Sequence, residues 1–469
     1  MWQRHTSISR LRMVNFRLFQ EAELTLDSRL NVFLGDNGKG KSSVLNAIAA
    51  VLSRIFPRCN YLPRLAPIPY REENIRKWSV ASRSRRGRAR QEYAGKSEVA
   101  CTLDLERVLG KETNKTAVDM AVGVTRNIGL YYTHFRCDAW LIKMLNEEVE
   151  DFGHIPVFAL YGPHRGAAQG ERKRFSRKKV DRANPFAAYV NALQPSLDFD
   201  AFLDWFNEEE ASELREQRHD HSYVSKELQC VREALVRVFE TSEIQVSNPR
   251  FEPNPKRFVM TCCSGKERCV ELLFDQLSDG YRGMVALVAD FARRLAIANQ
   301  HPDMNPLDGD GILMIDEVDA HLHPKWQYRV ISDLQRTFPN VQLIVTTHSA
   351  EVVSMVDRKN VYILNADEDG ILQERHPEQQ TEGSFPEDIA SEVMDAPNLV
   401  QVHPAYRAFQ ECLYLIQAGK EDTPAYAAAY DAVLKHYGEN HYFTQEIRSR
   451  IEGVKRRREL LDRLHKEKQ

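Results

Sequence analysis

The stretch LNVFLGDNGKGKSSVLNAIAAVL, residues 30–52, decides the fold of this chain. It opens with an apolar run that is typical of a buried β-strand. It closes with a segment that places Val44, Ile48, Val51 and Leu52 on one side of a predicted amphipathic helix. A glycine-rich loop joins the two. A strand, a glycine-rich loop and a helix in immediate succession predict an α/β fold in which the loop lies at the carboxyl end of a parallel strand.

The loop itself, residues 35–42, has the spacing G-x-x-x-x-G-K-S. Its glycines let the backbone N–H groups turn toward a bound anion, and the helix that follows adds its positive N-terminal end. We expect Lys41 to contact the β- and γ-phosphates of ATP, and the hydroxyl of Ser42 to bind Mg²⁺. A glycine-rich turn without a ligand is the alternative. The residues predicted to bind the nucleotide here are Gly35, Asp36, Asn37, Gly38, Lys39, Gly40, Lys41, Ser42 and Ser43.

A second motif, ILMIDE at 312–317, is an apolar strand that ends in two acids. Because ligands of open α/β sheets bind outside the carboxyl ends of the strands, both carboxylates are expected near the phosphates. Asp316 is predicted to complete the Mg²⁺ shell, and Glu317 to polarise the attacking water. Two solvated acids at a strand end are the alternative explanation.

Two further motifs point to the γ-phosphate. LSDGYR at 277–282 precedes a long predicted helix, so Ser278 and Gly280 can present a second helix N-terminus to an anion. Because one chain already has a phosphate loop, this turn suits the nucleotide of a second copy, which predicts a homodimer or a higher homo-oligomer with ATP at the subunit interface. His348 ends the apolar run QLIVTTH and can donate to a phosphate oxygen. The alternatives are a helix-capping serine and a structural histidine.

These motifs, in this order, resemble the ATP-binding-cassette (ABC) ATPase heads, and in particular the soluble branch with the SMC, RecF and OLD-like proteins. LSDGYR is similar to the LSGGQ signature of that family, with Asp279 and Tyr281 as departures. The segment 318–323 stands where the family has its D-loop, and His348 matches its switch histidine. The resemblance extends over residues 7–365. It implies a P-loop fold, ATP hydrolysis with Lys41, Glu317 and His348 as catalytic residues, and a nucleotide shared between subunits.

The signature, the form IDEVDAHLHPKWQ and the turn YGPHRG at 161–166 look still closer to one subgroup. That subgroup is the PtuA-type ATPase subunit of the Septu and retron anti-phage defence systems. The resemblance implies a regulatory ATPase that controls a separate HNH-type nuclease.

The predicted fold class is α/β: an ABC-type P-loop ATPase head with a mostly parallel sheet, an antiparallel β subdomain, a helical insertion and a helical C-terminal extension. The predicted domains are an N-terminal lobe with the β subdomain at 1–184, the helical insertion at 185–240, the second part of the head at 241–375, and the helical extension at 376–469.

Two other functions remain open at this point. One is a DNA repair or maintenance ATPase of the SMC/RecF kind. The other is an OLD-like single-chain nuclease that would use Asp367 and Asp369, although the short helical tail lacks the alternating strands of a nuclease domain. The basic runs 83–90 and 172–182 suit contact with a nucleic-acid backbone, DNA or retron RNA–DNA, or are solvated loops.

Charge, apolar runs and cysteine spacing indicate where the protein is located and what it can bind. The formal net charge of −3 over 469 residues does not by itself require a nucleic-acid partner. The chain starts without an apolar signal region and has no run long enough to cross a membrane. Its eight cysteines are scattered, and Cys263 and Cys269 fall in a predicted hairpin with its turn at 264–265. A cytoplasmic protein with reduced cysteines is expected.

Overall fold

In the computed structural model of the protein, the described residues are 3–59, 67–70, 72–80, 90–109, 112–127, 130–165, 184–197, 199–253, 256–264, 268–367, 369–394 and 403–466. They fall into two compact units, Met1–Pro386 and Glu387–Gln469.

Strands and helices follow one another along the described residues in the following order. The strands are β1 (Gln3–Phe16), β2 (Phe19–Thr25), β3 (Leu30–Leu34), β4 (Lys77–Val80), β5 (Arg90–Tyr93), β6 (Lys96–Leu109), β7 (Glu112–Asn127), β8 (Leu130–Cys137), β9 (Val157–Tyr161), β10 (Ile244–Pro253), β11 (Lys256–Ser264), β12 (Arg268–Leu273), β13 (Gly311–Ile315), β14 (Val341–Thr347), β15 (Val361–Ile363) and β16 (Ile371–Leu372). The helices are α1 (Lys41–Leu52), α2 (Ala139–Phe152), α3 (Phe199–Glu216), α4 (Lys226–Phe239), α5 (Asp279–Ala298), α6 (Pro324–Gln327), α7 (Val330–Thr337), α8 (Ala350–Val353), α9 (Pro386–Glu392), α10 (Pro404–Gln417), α11 (Pro424–Tyr437) and α12 (Tyr442–Lys466).

The centre of the first unit is a parallel sheet with the strand order β9, β13, β14, β3, β15. Every residue of β3, β9, β13 and β14 is buried. This explains their nearly continuous apolar sequence, because a parallel strand is covered on both faces. The carboxyl ends of β3, β13 and β14 meet at one edge, so the loop after Leu34 and the acids after Ile315 emerge side by side.

An antiparallel set of strands extends this sheet. β1 pairs with β14 at Thr6 and Val341, and continues as the antiparallel order β2, β1, β6, β7, β8. The register of β1 against β6 shifts between Ile8 and Arg10, and such a bulge increases the local twist. β10, β11 and β12 form a separate antiparallel sheet. Together with the helices, this architecture confirms the predicted fold class.

Helix α1 differs from its predicted pattern. Only Ser42 among its twelve residues is exposed, and ten are buried. The prediction of a one-sided amphipathic helix is therefore wrong. The helix contacts the parallel strands β9 and β14 and also the antiparallel strands β6 and β7. It lies between two sheet surfaces, so nearly all of its sides are covered.

The cysteines also differ from the expectation. The predicted hairpin is confirmed, since β11 and β12 pair antiparallel, although part of its turn, at residue 265, lies outside the described residues. Cys263 and Cys269 are direct cross-strand partners with Cα atoms 4.0 Å apart, and they form a disulfide. The expectation of reduced cysteines is wrong for this pair, because the hairpin register places the two thiols opposite each other.

The second unit is helical. α10, α11 and α12 enclose a hydrophobic core of their own. His403 and Thr423 cap the first two of these helices, each accepting a backbone N–H of the first turn. The buried side chains of this core are Phe409, Cys412, Leu415, Ile416, Tyr426, Ala429, Val433 and Ile447.

Candidate functional site

The loop at 35–42 adopts a backbone that depends on its glycines. Gly40 caps α1 with φ of 98°, and Gly38 has φ of 81°, both in the left-handed region that favours glycine. A Cβ atom on Gly40 would also collide with the ring of Phe19. The loop can therefore pass close to β2 and start the helix with its N–H groups turned outward, as an anion-binding loop requires.

Lys41 is held against this loop. Its side chain is 6% exposed, and its ammonium donates to the carbonyl oxygens of Gly35 at 2.6 Å and Asp36 at 3.0 Å. Burial lowers the pKa of Lys41, while the nearby carboxylates of Asp316 and Glu317 act to raise it. The cation thus lies between the loop and the acidic strand end, where a phosphate oxygen could replace the two carbonyls.

Thr346 of β14 connects the two acids. Its hydroxyl donates to Oδ1 of Asp316 at 2.7 Å and accepts the backbone N–H of Glu317 at 2.7 Å. Glu317 has φ of 49°, a conformation that costs a non-glycine residue about 1 kcal/mol or more. The next residue, Thr347, donates to Oδ1 of Asp319 at 2.6 Å. Consecutive hydroxyls of one strand therefore fix the carboxylates of the neighbouring turn.

Arg165 completes this turn, and the sequence analysis did not identify it as a site residue. It is 4% exposed, and its guanidinium donates to the carbonyl oxygens of Asp316 (3.1 Å), Glu317 (3.1 Å) and Val318 (3.0 Å). The available signal was its position in YGPHRG, directly after β9, which is the strand that pairs with β13. Adjacent parallel strands bring their following turns together, so an arginine there can reach the acidic turn.

One cavity of about 170 Å³ joins most of the predicted residues. Part of the phosphate loop, the acid Glu317 and the histidine His348 of a single chain line it together. Ser42 and His348 are at least partly exposed in it, so both can reach a ligand. The lining residues are Leu18, Asn37, Gly38, Gly40, Lys41, Ser42, Ser43, Glu317 and His348.

The signature motif lies elsewhere. Ser278 is exposed and caps α5 without a side-chain hydrogen bond to it, and neither Ser278 nor Gly280 lines the cavity. A Cβ atom on Gly280 would collide with the backbone oxygen of His321. Tyr281, where the family has glutamine, lies 4.6 Å from the ring of Trp326 and stacks at 5.6 Å on Phe239. Packing thus accounts for this departure from the family pattern.

The remaining predicted residues have local roles. Lys39 donates to Asn365 at 3.3 Å, and His323 accepts the N–H of Lys325 at the start of α6. Asp367 accepts the N–H of Ile371 in a turn. Among the described residues, no group of three or more histidine, cysteine or acidic side chains could hold a metal ion. The basic run 172–182 lies outside the described residues, as does 83–90 except for Arg90 at the start of β5.

Comparison with known families agrees with this site. Residues 267–354 match a family model described as an AAA domain, putative AbiEii toxin, Type IV TA system. Residues 10–129 match a second model described as an AAA domain. The two segments carry the phosphate loop, the signature and the acidic strand end between them. Both matches agree with the resemblance to ATP-binding-cassette ATPase heads, and they support ATPase activity for this chain.

Individual relatives are probable ATPases of retrons and a Septu protein. The retron Vc95 probable ATPase of Vibrio cholerae serotype O1 biovar El Tor is 24% identical over 402 residues, which cover 75% of this chain and 72% of that protein. The retron Ec83 probable ATPase of Escherichia coli is 26% identical over 415 residues, which cover 76% of this chain and 71% of that protein. The Septu protein PtuA of Bacillus mycoides (strain KBAB4) is 33% identical over 108 residues, 23% of this chain and 14% of that protein. These relatives agree with the resemblance to the PtuA-type ATPases.

An SMC head bound to the C-winged helix domain of ScpA superposes with a TM-score of 0.43 at 15% identity, over 79% of this chain and 97% of that one. The recombination mediator RecF with ATPγS superposes with a TM-score of 0.40 at 13% identity, over 79% of this chain and 99% of that one. Among the residues that the structure describes, no helix has the length and apolar character that crossing a membrane requires.

Proposed function

We propose that this chain is the ATP-hydrolysing switch of a defence complex, in which it controls a separate nuclease. The observation that carries the proposal is the cavity that joins Lys41, Ser42, Glu317 and His348 in one chain. A phosphate-binding loop, a cation, an acid and a histidine around one space are the groups that phosphoryl transfer to water requires. The proposed nucleotide is ATP, bound by the loop residues 35–43.

The residues present fit a magnesium ion. Ser42 lines the cavity, and the carboxylate of Asp316 follows β13, with one oxygen oriented by Thr346. Hydroxyl and carboxylate oxygens are the ligands that Mg²⁺ prefers, together with water and phosphate oxygens. When bound, the ion would neutralise charge on the β- and γ-phosphates.

The chain's own residues would carry out the rest. Glu317 accepts a hydrogen bond from the attacking water and directs its oxygen to the γ-phosphorus, while the bond to the β–γ bridging oxygen breaks and ADP leaves. Lys41 and His348 donate to the phosphoryl oxygens as charge develops on them. The products are ADP and inorganic phosphate.

The position of Ser278 supports a site shared by two copies. It is exposed at the N-terminus of α5, a helix of twenty residues, and it does not line the cavity of its own chain. An exposed helix N-terminus attracts anionic groups. We infer that Ser278 and Gly280 of a second copy close over the γ-phosphate, so that ATP joins two chains and hydrolysis releases them.

A separate nuclease is proposed as the output. The matched relatives are ATPases of retrons and a Septu protein, and the resemblance to the PtuA-type subunits implies an HNH-type partner. Asp367 and Asp369, which a single-chain nuclease would use, stand at a turn that Asp367 itself closes by accepting the N–H of Ile371. This hydrogen bond favours a structural role for Asp367.

Copurification tests this proposal. The tagged full chain is expressed together with its neighbouring genes, purified with and without ATP, and its companions are identified by mass spectrometry. We expect a nuclease to copurify with the wild-type chain. Its DNA cleavage should change when the Lys41→Ala variant replaces the wild-type chain. ATP-dependent duplex binding without any nuclease companion would favour a DNA-maintenance ATPase. Metal-dependent cleavage by the pure chain that is lost in Asp367→Ala would favour a single-chain nuclease.

A further inference from the structure

We propose that Arg165 is a positioning residue for hydrolysis, which sets the backbone of the Glu317 turn and links that turn to the signature helix α5. The inference rests on the proposed function, since it takes Glu317 as the residue that orients the attacking water. Arg165 does not line the nucleotide cavity, so it would act through the turn and not on ATP itself.

The contacts of Arg165 are directed at one stretch of backbone. Nη1 donates to the carbonyl of Asp316, and Nη2 donates to the carbonyls of Glu317 and Val318, all within 3.1 Å. A fourth, longer bond of 3.4 Å joins Nη1 to Gly162, in the turn that carries Arg165. One planar guanidinium therefore binds three consecutive carbonyl oxygens through two of its nitrogens, whose N–H groups are fixed in one plane.

The charge is buried at a cost that packing alone does not explain. Arg165 is 4% exposed, and among the described residues no carboxylate lies within salt-bridge distance of it. Desolvation lowers the pKa of Arg165 to about 10, although Asp319, Glu317 and Asp316 act to raise it. A buried cation held by carbonyl dipoles is expensive compared with an apolar side chain. This suggests a role that needs the carbonyls fixed.

The turn needs such fixing because its conformation is strained. Glu317 has φ of 49°, in the left-handed region that residues other than glycine rarely adopt. Thr346 holds the N–H of Glu317, and Arg165 holds its carbonyl, so the peptide groups on both sides of its Cα are restrained. If the carbonyl side were released, the residue could relax to negative φ and swing its carboxylate away from the cavity.

Helix α5 lies close to the same arginine. Gly283 lies on this helix one turn after Gly280, and a Cβ atom there would stand 3.5 Å from Cγ of Arg165. Gly280 itself packs on the backbone of His321, further along the chain after Glu317. The helix whose N-terminus would bind the second copy's nucleotide thus lies close to Arg165 and packs on the loop after Glu317. A shift of α5 on closure would be passed to the carbonyls that orient Glu317.

The test compares Arg165→Lys with His164→Ala in the full chain. Lysine keeps the positive charge but has all its donors on one tetrahedral nitrogen, so it cannot reproduce bonds made by two coplanar nitrogens. His164 is the exposed neighbour in the same turn. We expect Arg165→Lys to lower kcat about 10-fold or more, with KM and the affinity for a fluorescent ATP analogue changed less than about 3-fold. His164→Ala should match the wild type. The thermal midpoint is measured for all three chains.

Chemical rescue separates positioning from mere folding. Arg165→Gly is assayed with guanidinium chloride at millimolar concentration, and with methylammonium chloride as the matched cation without a fork. Saturable recovery of kcat by guanidinium alone supports the proposal. Wild-type kcat in Arg165→Lys, or equal losses of kcat, ATP affinity and thermal midpoint without recovery by guanidinium, would overturn it. A wild-type chain that binds ATP but never hydrolyses it would instead overturn the proposed function, before Arg165 is considered.

Discussion

Thr346 shows how much of the site depends on a single hydroxyl. Its hydroxyl donates to the carboxylate of Asp316 and accepts the backbone N–H of Glu317, both at 2.7 Å, and the residue is fully buried. We predict that Thr346→Val, which keeps the shape and removes the hydroxyl, lowers kcat about 10-fold and destabilises the protein by about 1–3 kcal/mol. Steady-state kinetics and urea unfolding measure the two effects.

The matched control for this change is Thr337→Val. Thr337 is equally buried, but its hydroxyl bonds only the carbonyl of Asp333 within its own helix. It should lose some stability and keep the wild-type kcat. If both variants hydrolyse ATP at the wild-type rate, the hydroxyl of Thr346 has no part in arranging the acids.

Glu317 allows a second prediction at this scale. An amide is a far poorer base than a carboxylate but has the same shape, so Glu317→Gln should still bind ATP and lose about 100-fold or more in kcat. The unhydrolysed nucleotide should then hold two chains together, and size-exclusion chromatography with ATP should show a dimer. Lys41→Ala, which removes the phosphate-binding cation, should stay in the form seen without nucleotide. An unchanged turnover rate in Glu317→Gln would contradict the role of this residue.

Among the secondary-structure elements, α5 is fixed to the parallel sheet by a buried charge. Asp290 accepts from Tyr161 of β9 at 2.7 Å and from Arg294 at 2.8 Å, and it also pairs with Arg293. Burial alone would raise the pKa of Asp290, but the two arginines lower it to about 2. Because the folded pKa is below the unfolded one, its stabilisation is present above about pH 4 and is lost as the pH falls toward 2.

The lowered pKa of Asp290 predicts that the stability difference between the wild type and Asp290→Asn depends on pH. Asp290→Asn leaves Arg294 buried without its carboxylate, and such a loss destabilises a protein by about 3–5 kcal/mol at neutral pH. The difference in thermal midpoint between wild type and Asp290→Asn should therefore be large at pH 7 and shrink between pH 4 and pH 2. Asp303→Asn, at an exposed position, should show no such trend. A difference that does not depend on pH would contradict the pKa assigned to Asp290.

The elements also show what the sequence could predict. Buried parallel strands such as β13 and β14 are recognisable because their apolar runs end in polar functional residues. The one-sided pattern of α1 was misleading, because alanine and serine next to the apolar positions are small enough to be buried too. Thr346 could not be recognised, since only the order of the strands brings it next to the acidic turn. Arg165 stood in the YGPHRG turn after β9, but which backbone groups it binds likewise depends on the order of the strands. The Cys263–Cys269 disulfide depends on register, which spacing alone does not fix.

Across the whole molecule, the shared site predicts complementation between two inactive chains. Lys41→Ala disables the phosphate loop, and Ser278→Arg blocks the signature that would serve the other copy. A dimer of one of each contains one site with an intact loop and an intact signature, so mixing should restore up to about a quarter of the activity per chain under random pairing. Colorimetric phosphate release measures it. No recovery under conditions in which labelled subunits exchange would contradict a shared site.

The self-contained core of α10, α11 and α12 has a consequence for how such genes evolve. All strands of the described sheets lie before residue 386, so a recombination event beyond that point leaves every strand pairing intact. The incoming segment would bring its own complete set of buried side chains, as Phe409, Val433 and Ile447 provide here. Lineages could therefore exchange their C-terminal helices as cassettes while inheriting the nucleotide site unchanged.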